Sequence, residues 1–375
     1  MLPKLFACMI LRNEAHNLPR CLDSIKDLCD QIVVVDTGST DDTVKICREY
    51  GAIVYTSPQM NWRKPPIWDF SFARNESLQY CEDMGADWVM IIDADESLSD
   101  VGIPDAEFKR RLSRLPSHVH ALATQVHEKQ ADGSFCLSFW GTRFFRTRVG
   151  VFYDGICHNR PHLIKGGFSA GSNVVFYHHG YTDKQVMTAK RARTLILIEK
   201  RIKDDPNDYE AYYYKCMTLC GQDRVEDAIE AGVKCLEMLG PMIDHDPSRL
   251  NYFGILYYAI GWAWFRIWEK TDNQEAANKA YVWWLKGWEY WPEDIDLNFE
   301  LCTIGYLTKD PYMTKDHGER YFTAIEKMSK EIAPDLPKFE NAFDIQSLTI
   351  GPRHIHQASP KHQAMIRAMM QHMEK

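Results

Sequence analysis

The chain is poor in features that mark several common classes of protein. Its 11 cysteines include no CxxC pair, which argues against a zinc site, and their scatter over apolar positions is typical of reduced, buried thiols. The formal net charge of -8 leaves no basic excess for bulk binding of nucleic acid. The short apolar run at residues 5–11 leads straight into Arg12, so we interpret it as a first strand rather than a secretory signal and expect a cytoplasmic protein.

The sequence also lacks an uninterrupted membrane-spanning run. Residues 251–268, NYFGILYYAIGWAWFRIW, approach the required length, but Asn251 and Arg266 bracket the stretch and aromatic residues fill it. A buried helix is favoured, and peripheral contact with a membrane stays an alternative. The tryptophans here and at residues 283–291 favour a helical core over a sugar-binding groove.

At 375 residues the chain is long enough for two domains, each with its own core. Strand patterns at residues 4–10, 31–35 and 52–55 alternate with amphipathic helices, which predicts a parallel α/β sheet with right-handed crossovers. From about residue 184 the pattern is almost entirely helical. We predict an α/β domain at residues 1–183, a helical domain at residues 184–330 and a C-terminal tail at residues 331–375.

An acidic cluster follows the most apolar strand. Residues 88–92, WVMII, read as a strand buried on both faces, and Asp93, Asp95 and Glu96 come where it leaves the sheet. Asp93 and Asp95 are two residues apart, so along an extended backbone they point the same way. The two carboxylates could share one divalent cation, or one could bind the cation while the other accepts from a sugar hydroxyl. An acidic turn that closes the strand is the plainer alternative.

Two further charged residues stand at positions that suit ligand binding. Asp36 follows the strand QIVVV (residues 31–35). Its carboxylate either stabilises the following turn or accepts a hydrogen bond from a base N–H or a ribose hydroxyl. Arg74 lies near the start of a predicted helix that begins at Phe70. Its guanidinium suits a diphosphate, although a surface ion pair is the usual role of an arginine.

Four blocks in order carry a family resemblance: RNEAHNLPRCLDSI, IVVVDTGSTDDT, WDFSFARNESL and DWVMIIDADESL. Together they resemble the family 2 glycosyltransferases with the GT-A fold, in the branch with a tetratricopeptide-like helical extension. The resemblance implies that Asp36 contacts the base of a nucleotide-sugar, that Arg74 approaches its diphosphate, and that Asp93 with Asp95 forms a DxD motif holding Mn²⁺ or Mg²⁺. Arg12, which opens the first block, joins the donor-binding residues. The expected fold class is a GT-A mixed α/β sheet followed by helical repeats.

The resemblance also suggests a third cation ligand and a catalytic base. His178 follows a predicted strand and matches a family histidine, so it either completes the cation's coordination or is a structural residue. The family commonly has a glutamate where this chain has Asn159. Because an amide cannot accept a proton, Asp154 and His158 are the candidates for the base.

The helical half contains recurring proline-containing pairs but no regular repeat. Asp-Pro or Trp-Pro pairs begin at residues 205, 246 and 291, and their spacing exceeds the 34 residues of a tetratricopeptide unit. Helix pairs of this kind stack into a curved surface that serves partners or a homodimer. The histidine-rich tail has no predicted role.

The leading hypothesis is a metal-dependent, inverting glycosyltransferase that uses a UDP-sugar and an unidentified acceptor: a glycan, a protein, a lipid-linked molecule or a modified DNA base. One alternative is an inactive, transferase-like scaffold that presents its helical surface. Another is a transferase acting on a modified base of DNA through a basic groove formed by Arg110, Arg111, Arg143, Arg146, Arg148 and Lys165.

Overall fold

A computed structural model describes residues 2–57, 69–99, 104–129, 135–164, 168–179, 184–243, 254–331, 353–354 and 360–373. The chain divides into two compact units, with the break between Asp183 and Lys184. The strands and helices of the first unit are β1 (Leu5–Leu11), α1 (Leu18–Ile25), β2 (Gln31–Asp36), α2 (Thr43–Glu49), β3 (Ile53–Thr56), α3 (Phe70–Asp83), β4 (Trp88–Ile91), β5 (Glu96–Leu98), α4 (Asp105–Arg114), β6 (Val119–Lys129), β7 (Phe135–Arg146), β8 (Val151–Asp154), β9 (Arg160–Leu163) and β10 (Phe168–His178).

The first unit is built on one mixed sheet in the order β3-β2-β1-β4-β7-β6-β10-β5. Strands β1, β2, β3 and β4 are parallel, which confirms the predicted α/β arrangement. β7 runs antiparallel to both β4 and β6, and β5 antiparallel to β10, so this half of the sheet is mixed. A separate hairpin pairs β8 with β9.

Alternate residues of β1 bury opposite faces of the sheet. Leu5 and Met9 pack into a cluster with α1, whereas Phe6 and Cys8 pack with residues of α3. A strand covered by helices on both sides has no solvent face, so its sequence is apolar throughout. This explains why β1, β2 and β4 were the strands that the sequence predicted most clearly.

Some features of the first unit go beyond the sequence prediction. The short strand β5 and the hairpin β8–β9 were not predicted. In the basic helix α4, Lys109 is buried and its ammonium lies 2.8 Å from the Asp30 carboxylate. Asp30 supplies the charge that a buried lysine needs. The Asp132-Gly133 pair, a sequence that favours a hairpin turn, lies outside the described residues, although β6 and β7 on either side of it are antiparallel.

The second unit is helical, and its consecutive helices pack in pairs: α6 with α7, α8 with α9, and α10 with α11. Its elements are α5 (Lys184–Asp204), α6 (Tyr209–Cys220), α7 (Val225–Ile243), α8 (Ile255–Thr271), α9 (Gln274–Tyr290), α10 (Ile295–Leu307), α11 (Pro311–Glu331), β11 (Arg353–His354) and α12 (Pro360–Met373). Asp208 and Asp294 cap α6 and α10 by accepting from the backbone N–H three residues on. From the predicted tail, α12 packs on α10 and α11 through Ile366.

The aromatic stretch of the second unit forms helical core, as the sequence favoured. Trp284 of α9 is fully buried among residues of α8 and α10, and Trp262, Trp264 and Trp288 pack around it. Over the ranges that the structure describes, none of the helices is both apolar enough and long enough to cross a bilayer.

Candidate active site

The loops singled out by the sequence leave the sheet at one edge. β1 pairs in parallel with β2 on one side and with β4 on the other, so the carboxyl ends of all three strands point the same way. Arg12 follows the last residue of β1, Asp36 is the last residue of β2, and Asp93 comes shortly after β4. Ligands of α/β sheets bind outside this edge. The fold therefore brings together the residues that the sequence placed in one site.

The Asp36 carboxylate organises the loop that follows β2. It accepts hydrogen bonds from the backbone N–H groups of Gly38 at 3.2 Å and Ser39 at 3.1 Å. Gly38 has a φ of 102°, a conformation that favours glycine and lets the chain turn sharply. The turn role left open for Asp36 is thus present, while its contact with a nucleotide base stays a prediction.

Asn13 joins the loop after β1 to the loop after β2. Its backbone N–H donates to Ser39 Oγ at 3.0 Å, and its side-chain Oδ1 accepts from the Thr40 N–H at 2.7 Å. Asn13 has a φ of 54°, which asparagine tolerates better than most residues. These bonds fix the backbone on which Arg12 is carried next to the Asp36 loop.

Arg74 and Asp93 form an ion pair between α3 and the end of β4. Arg74 Nη2 donates to Asp93 Oδ1 at 2.8 Å, and the arginine lies 5.8 Å from the ring centroid of Tyr153. Burial alone would raise the pKa of the Asp93 carboxyl, but Arg74 and Arg143 outweigh it and hold that pKa below its usual value. Asp93 is therefore ionised at neutral pH.

The same arginine has donors that no described residue uses. Arg74 is only 6% exposed, and within the described ranges its Nε and Nη1 find no hydrogen-bond acceptor. A buried guanidinium with unused donors is costly, because each buried polar group normally has a partner. Asp69 caps α3 by accepting from the Phe72 N–H at 3.0 Å, which sets the helix turn that carries Arg74. The arrangement suits an incoming anion.

Asp95 lies against His178 at the end of β10. Asp95 Oδ2 and His178 Nε2 are 3.4 Å apart, and the Asp95 carbonyl accepts from the backbone N–H of His179 at 2.8 Å. The pairing of β5 with β10 sets His178 opposite Glu96, which brings the histidine back to the acidic turn. The structure therefore places His178 where the sequence expected it, beside the DxD residues.

This pair of side chains fits a divalent cation. Neighbouring ligands around Mn²⁺ or Mg²⁺ are about 3 Å apart, and carboxylate oxygen with imidazole nitrogen is a donor set that Mn²⁺ accepts. Asp93, the other predicted ligand, is engaged by Arg74. Across the described part of the chain, no group of three or more His, Cys, Asp and Glu side chains is arranged to hold a metal ion. The binding of a cation by Asp95 and His178 stays a prediction.

Glu96 is a member of the site to which the sequence gave no role. It is 1% exposed, forms an ion pair with Arg143 of β7, and its Oε2 accepts from the Asp93 backbone N–H at 3.0 Å. Burial raises the pKa of Glu96, although Arg143 opposes the shift. The sequence signal that could have pointed to this role is the place of Glu96 in the acidic cluster, three residues after Asp93.

The two candidate bases lie on the β8–β9 hairpin and its loop. Asp154 is exposed, and its Oδ1 accepts from the Gly155 N–H at 2.8 Å. Asp154 faces away from the neighbouring Tyr153, which is buried towards α3. His158 is exposed, with a φ of 50°. The assignment of either residue as the base stays a prediction.

The loop that carries His158 is attached to the start of α3. The Phe70 N–H donates to the Ile156 carbonyl at 3.1 Å, and Ser71 Oγ donates to the Gly155 carbonyl. Asn75 continues the contact by exchanging two hydrogen bonds with the backbone of Tyr153, at 2.7 and 2.9 Å. The hairpin is thus fixed to the helix that presents Arg74.

Known proteins match part of this chain. The sequence profile described as Glycosyl transferase family 2 matches residues 6–105. A protein of Rickettsia felis named "Uncharacterized glycosyltransferase" is 41% identical over 218 residues, which are 54% of this chain and 73% of that protein. A "TPR repeat-containing protein" of Synechococcus elongatus is 31% identical over 243 residues, which are 61% of this chain and 55% of that protein.

The share of each relative's length that this chain covers differs among the matches. The chain spans about half the length of the curated relatives that align over 61% of it. The crystal structure of S. aureus TarS covers 68% of this chain and 52% of its own, with a TM-score of 0.36 and 14% identity. That likeness is too distant to assign a function.

Proposed function

The chain belongs to the family 2 glycosyltransferases, and we propose that it is a metal-dependent enzyme that transfers a sugar from a UDP-sugar to an acceptor hydroxyl with inversion. Its first unit has the mixed sheet of the GT-A fold. The observation that carries the proposal is the juxtaposition of two pairs at the carboxyl ends of the strands: Arg74 with Asp93, and Asp95 with His178.

The donor's nucleotide would lie along the loops after β1 and β2. Asp36 ends β2 opposite Leu11, the residue before Arg12, so Asp36 and Arg12 lie where neighbouring strands leave the sheet, and we propose that they bind the base and ribose. The Asp36 carboxylate has lone pairs beyond those that accept from Gly38 and Ser39. It can therefore hold the loop and accept from a ligand together.

The diphosphate would lie between Arg74 and the pair of Asp95 and His178. Arg74 offers the unused Nε and Nη1 donors, and charge-assisted hydrogen bonds to phosphate oxygens would satisfy them. Asp95 and His178 would hold the divalent cation. When bound, such a cation neutralises negative charge that develops on the leaving diphosphate.

Transfer with inversion takes a single displacement. The acceptor oxygen bonds to the anomeric carbon as the bond from that carbon to the diphosphate oxygen breaks, and the acceptor's proton passes to a base. Asp154 and His158 are the bases we propose, and the acceptor would enter beside the loop after β8. A base variant should lose turnover while its affinity for UDP stays unchanged.

The arginines of the proposed DNA groove are mostly engaged within the fold. Arg110 and Arg111 pair with Glu107, and Arg143 pairs with Glu96. Arg146 donates to backbone carbonyls, and its guanidinium lies 4.7 Å from the ring centroid of Trp88. Lys165 lies outside the described residues. A continuous phosphate-tracking groove is therefore not favoured, and we do not propose DNA as the acceptor.

Slow hydrolysis of the donor tests the proposal without knowledge of the acceptor. The protein is incubated with Mn²⁺ and UDP-glucose, UDP-galactose or UDP-N-acetylglucosamine, and released UDP is measured. We expect release from at least one donor, loss of release on chelation, and strong reduction in Asp95→Asn. Release that persists in Asp95→Asn would contradict the assigned site, and no release from any donor would favour the inactive scaffold.

A further inference from the structure

Glu96 connects three separate parts of the site from a fully buried position. Its Oε2 accepts from the Asp93 backbone N–H at 3.0 Å, and its Oε1 pairs with the guanidinium of Arg143. Through the β5–β10 ladder its backbone lies opposite His178. The Glu96 carboxylate thus contacts the acidic turn and Arg143 of β7, while the Glu96 backbone pairs with the strand that carries the proposed cation ligand.

The turn from Asp93 to Glu96 is closed from both sides. The Glu96 backbone N–H donates to the Asp93 carbonyl at 3.0 Å, while the Glu96 side chain accepts the Asp93 N–H. Cys21 of α1 also approaches that carbonyl, with its Sγ at 3.5 Å. The N–H and the carbonyl of Asp93 belong to the peptide units on either side of its Cα, so these bonds hold the backbone on both sides of Asp93 and fix the course of the turn that leads to Asp95.

Arg143 fixes Glu96 in turn. β7 is hydrogen-bonded to β4, with Phe144 opposite Met90, so Arg143 lies next to the end of the strand that leads into the turn. Its guanidinium lies 5.8 Å from the ring centroid of Phe176. A buried carboxylate needs such a partner, because an isolated buried charge costs several kcal/mol.

We propose that Glu96, held by Arg143, is a positioning residue that orients Asp93 towards Arg74 and Asp95 towards the proposed cation site. This inference rests on the proposed function. It adds Glu96 and Arg143 as residues that support Asp93 and Asp95 from within the fold. Residues that orient ligands from behind typically change ligand affinity about 10- to 100-fold when replaced. The effect would therefore appear in donor binding as well as in fold stability.

A matched carboxylate in the same unit separates positioning from structural support. Asp30 also bridges a backbone N–H and a cation: its Oδ2 accepts from the Leu5 N–H at 2.8 Å and its Oδ1 pairs with Lys109 at 2.8 Å. This bridge sits at the start of β1, the opposite edge of the sheet. Asp30→Asn should lower stability without touching the donor site.

The test compares UDP binding in the presence of Mn²⁺ by calorimetry, together with thermal unfolding, for wild type, Glu96→Gln and Asp30→Asn. The amide of Glu96→Gln cannot present acceptors to both Arg143 and Asp93, so we expect about tenfold weaker UDP binding. Asp30→Asn should bind UDP as wild type does. Combining Arg143→Met with Glu96→Gln should add little further loss, because the two residues act as one unit.

A second variant guards against misfolding of Glu96→Gln. Glu96→Asp keeps the charge beside Arg143 but is one methylene too short for the Asp93 N–H, and it should show the same defect in UDP binding. If the folded Glu96 variants bind UDP within twofold of wild type, the positioning role is wrong. If wild type itself binds no UDP, the proposed function fails, and this inference fails with it.

Discussion

Arg74 Nη2 lies 2.8 Å from Asp93 Oδ1, and the two partners differ sharply in exposure. The arginine is buried, whereas the Asp93 side chain is 38% exposed. The pair thus connects the helix α3, beneath the site, to the open edge of the sheet. Arg74 Nε and Nη1, which have no acceptor among the described residues, are the donors that we propose for the diphosphate.

Replacing Arg74 should weaken donor binding more than it lowers stability. Arg74→Gln removes charge-assisted hydrogen bonds worth roughly 1.5–3 kcal/mol each, so UDP affinity should fall about tenfold or more. Asp93 is solvated enough to tolerate the loss of its partner. Calorimetric titration of UDP into Arg74→Gln and Arg110→Gln tests this prediction. Arg110→Gln is the control, because Arg110 forms an exposed ion pair with Glu107. Equal affinities for UDP would remove Arg74 from the donor site.

Asp95 and His178 should both be needed for metal-dependent binding. Asp95→Asn and His178→Gln each remove one donor atom from the proposed pair, so the Mn²⁺ concentration needed for half-maximal UDP binding should rise about tenfold or more. The neighbouring His179, whose Nε2 contacts Ser97 Oγ at 2.9 Å, supplies the control variant His179→Gln. A similar shift in His179→Gln would mean that the change is structural and not specific to the metal.

The packing of α8 on α9 should be sensitive to one added methyl group. A Cβ at Gly261 would lie 2.3 Å from Nε1 of Trp284, a buried ring that cannot move aside freely. Gly261→Ala should therefore destabilise the helical unit by about 1–3 kcal/mol in denaturant unfolding. At Gly240 of α7 an added Cβ meets no described atom within 4 Å, so Gly240→Ala should be neutral or stabilising by about 1 kcal/mol. Equal effects would contradict this account of the interface.

His317 should make the stability of the helical unit depend on pH. Burial lowers the pKa of His317 below 6.5, and among its charged neighbours Asp316 opposes and Arg320 supports that shift. Because the unfolded chain binds the proton more readily, this stability is fully present above the unfolded pKa and is lost as the pH falls through about 6.5 towards the folded value.

Thermal unfolding at about pH 7.5 and about pH 5.5 checks the role of His317. His317→Gln keeps a donor for Asn298, whose Oδ1 lies 2.9 Å from the His317 Nδ1. The drop in Tm between the two pH values should be smaller in this variant than in wild type. An equal drop in both proteins would show that other groups carry the effect, and His372→Gln, at an exposed histidine, serves as the control.

The parts of the fold that sequence predicted best are those with one dominant physical cause. β1, β2 and β4 were evident because a strand buried on both faces is apolar throughout. Because these strands run parallel, their carboxyl ends lie together, which is enough to place Asp36 and Asp93 near each other. The pairing of Arg74 with Asp93 was not predicted, because helix α3 and strand β4 meet only through tertiary packing.

The features that the sequence did not predict depend on partners that are distant in the chain. β5 has three residues, too few for a pattern, and exists because β10 pairs with it 80 residues later. Glu96 looked like part of an acidic turn, since nothing near it in sequence reveals that Arg143 is its partner. The burial of Lys109 could not be predicted for the same reason, because its partner Asp30 lies far away in the chain, in the loop before β2.

The most direct measurement of the central claim is calorimetric titration of UDP, GDP, CDP and dTDP into the pure protein, first with Mn²⁺ and then with the metal chelated. We expect UDP to bind in the presence of Mn²⁺ and to bind much more weakly without it, because Asp95 and His178 would act through the cation. Binding of no nucleotide, or binding of UDP that ignores the metal, would contradict the proposed donor site.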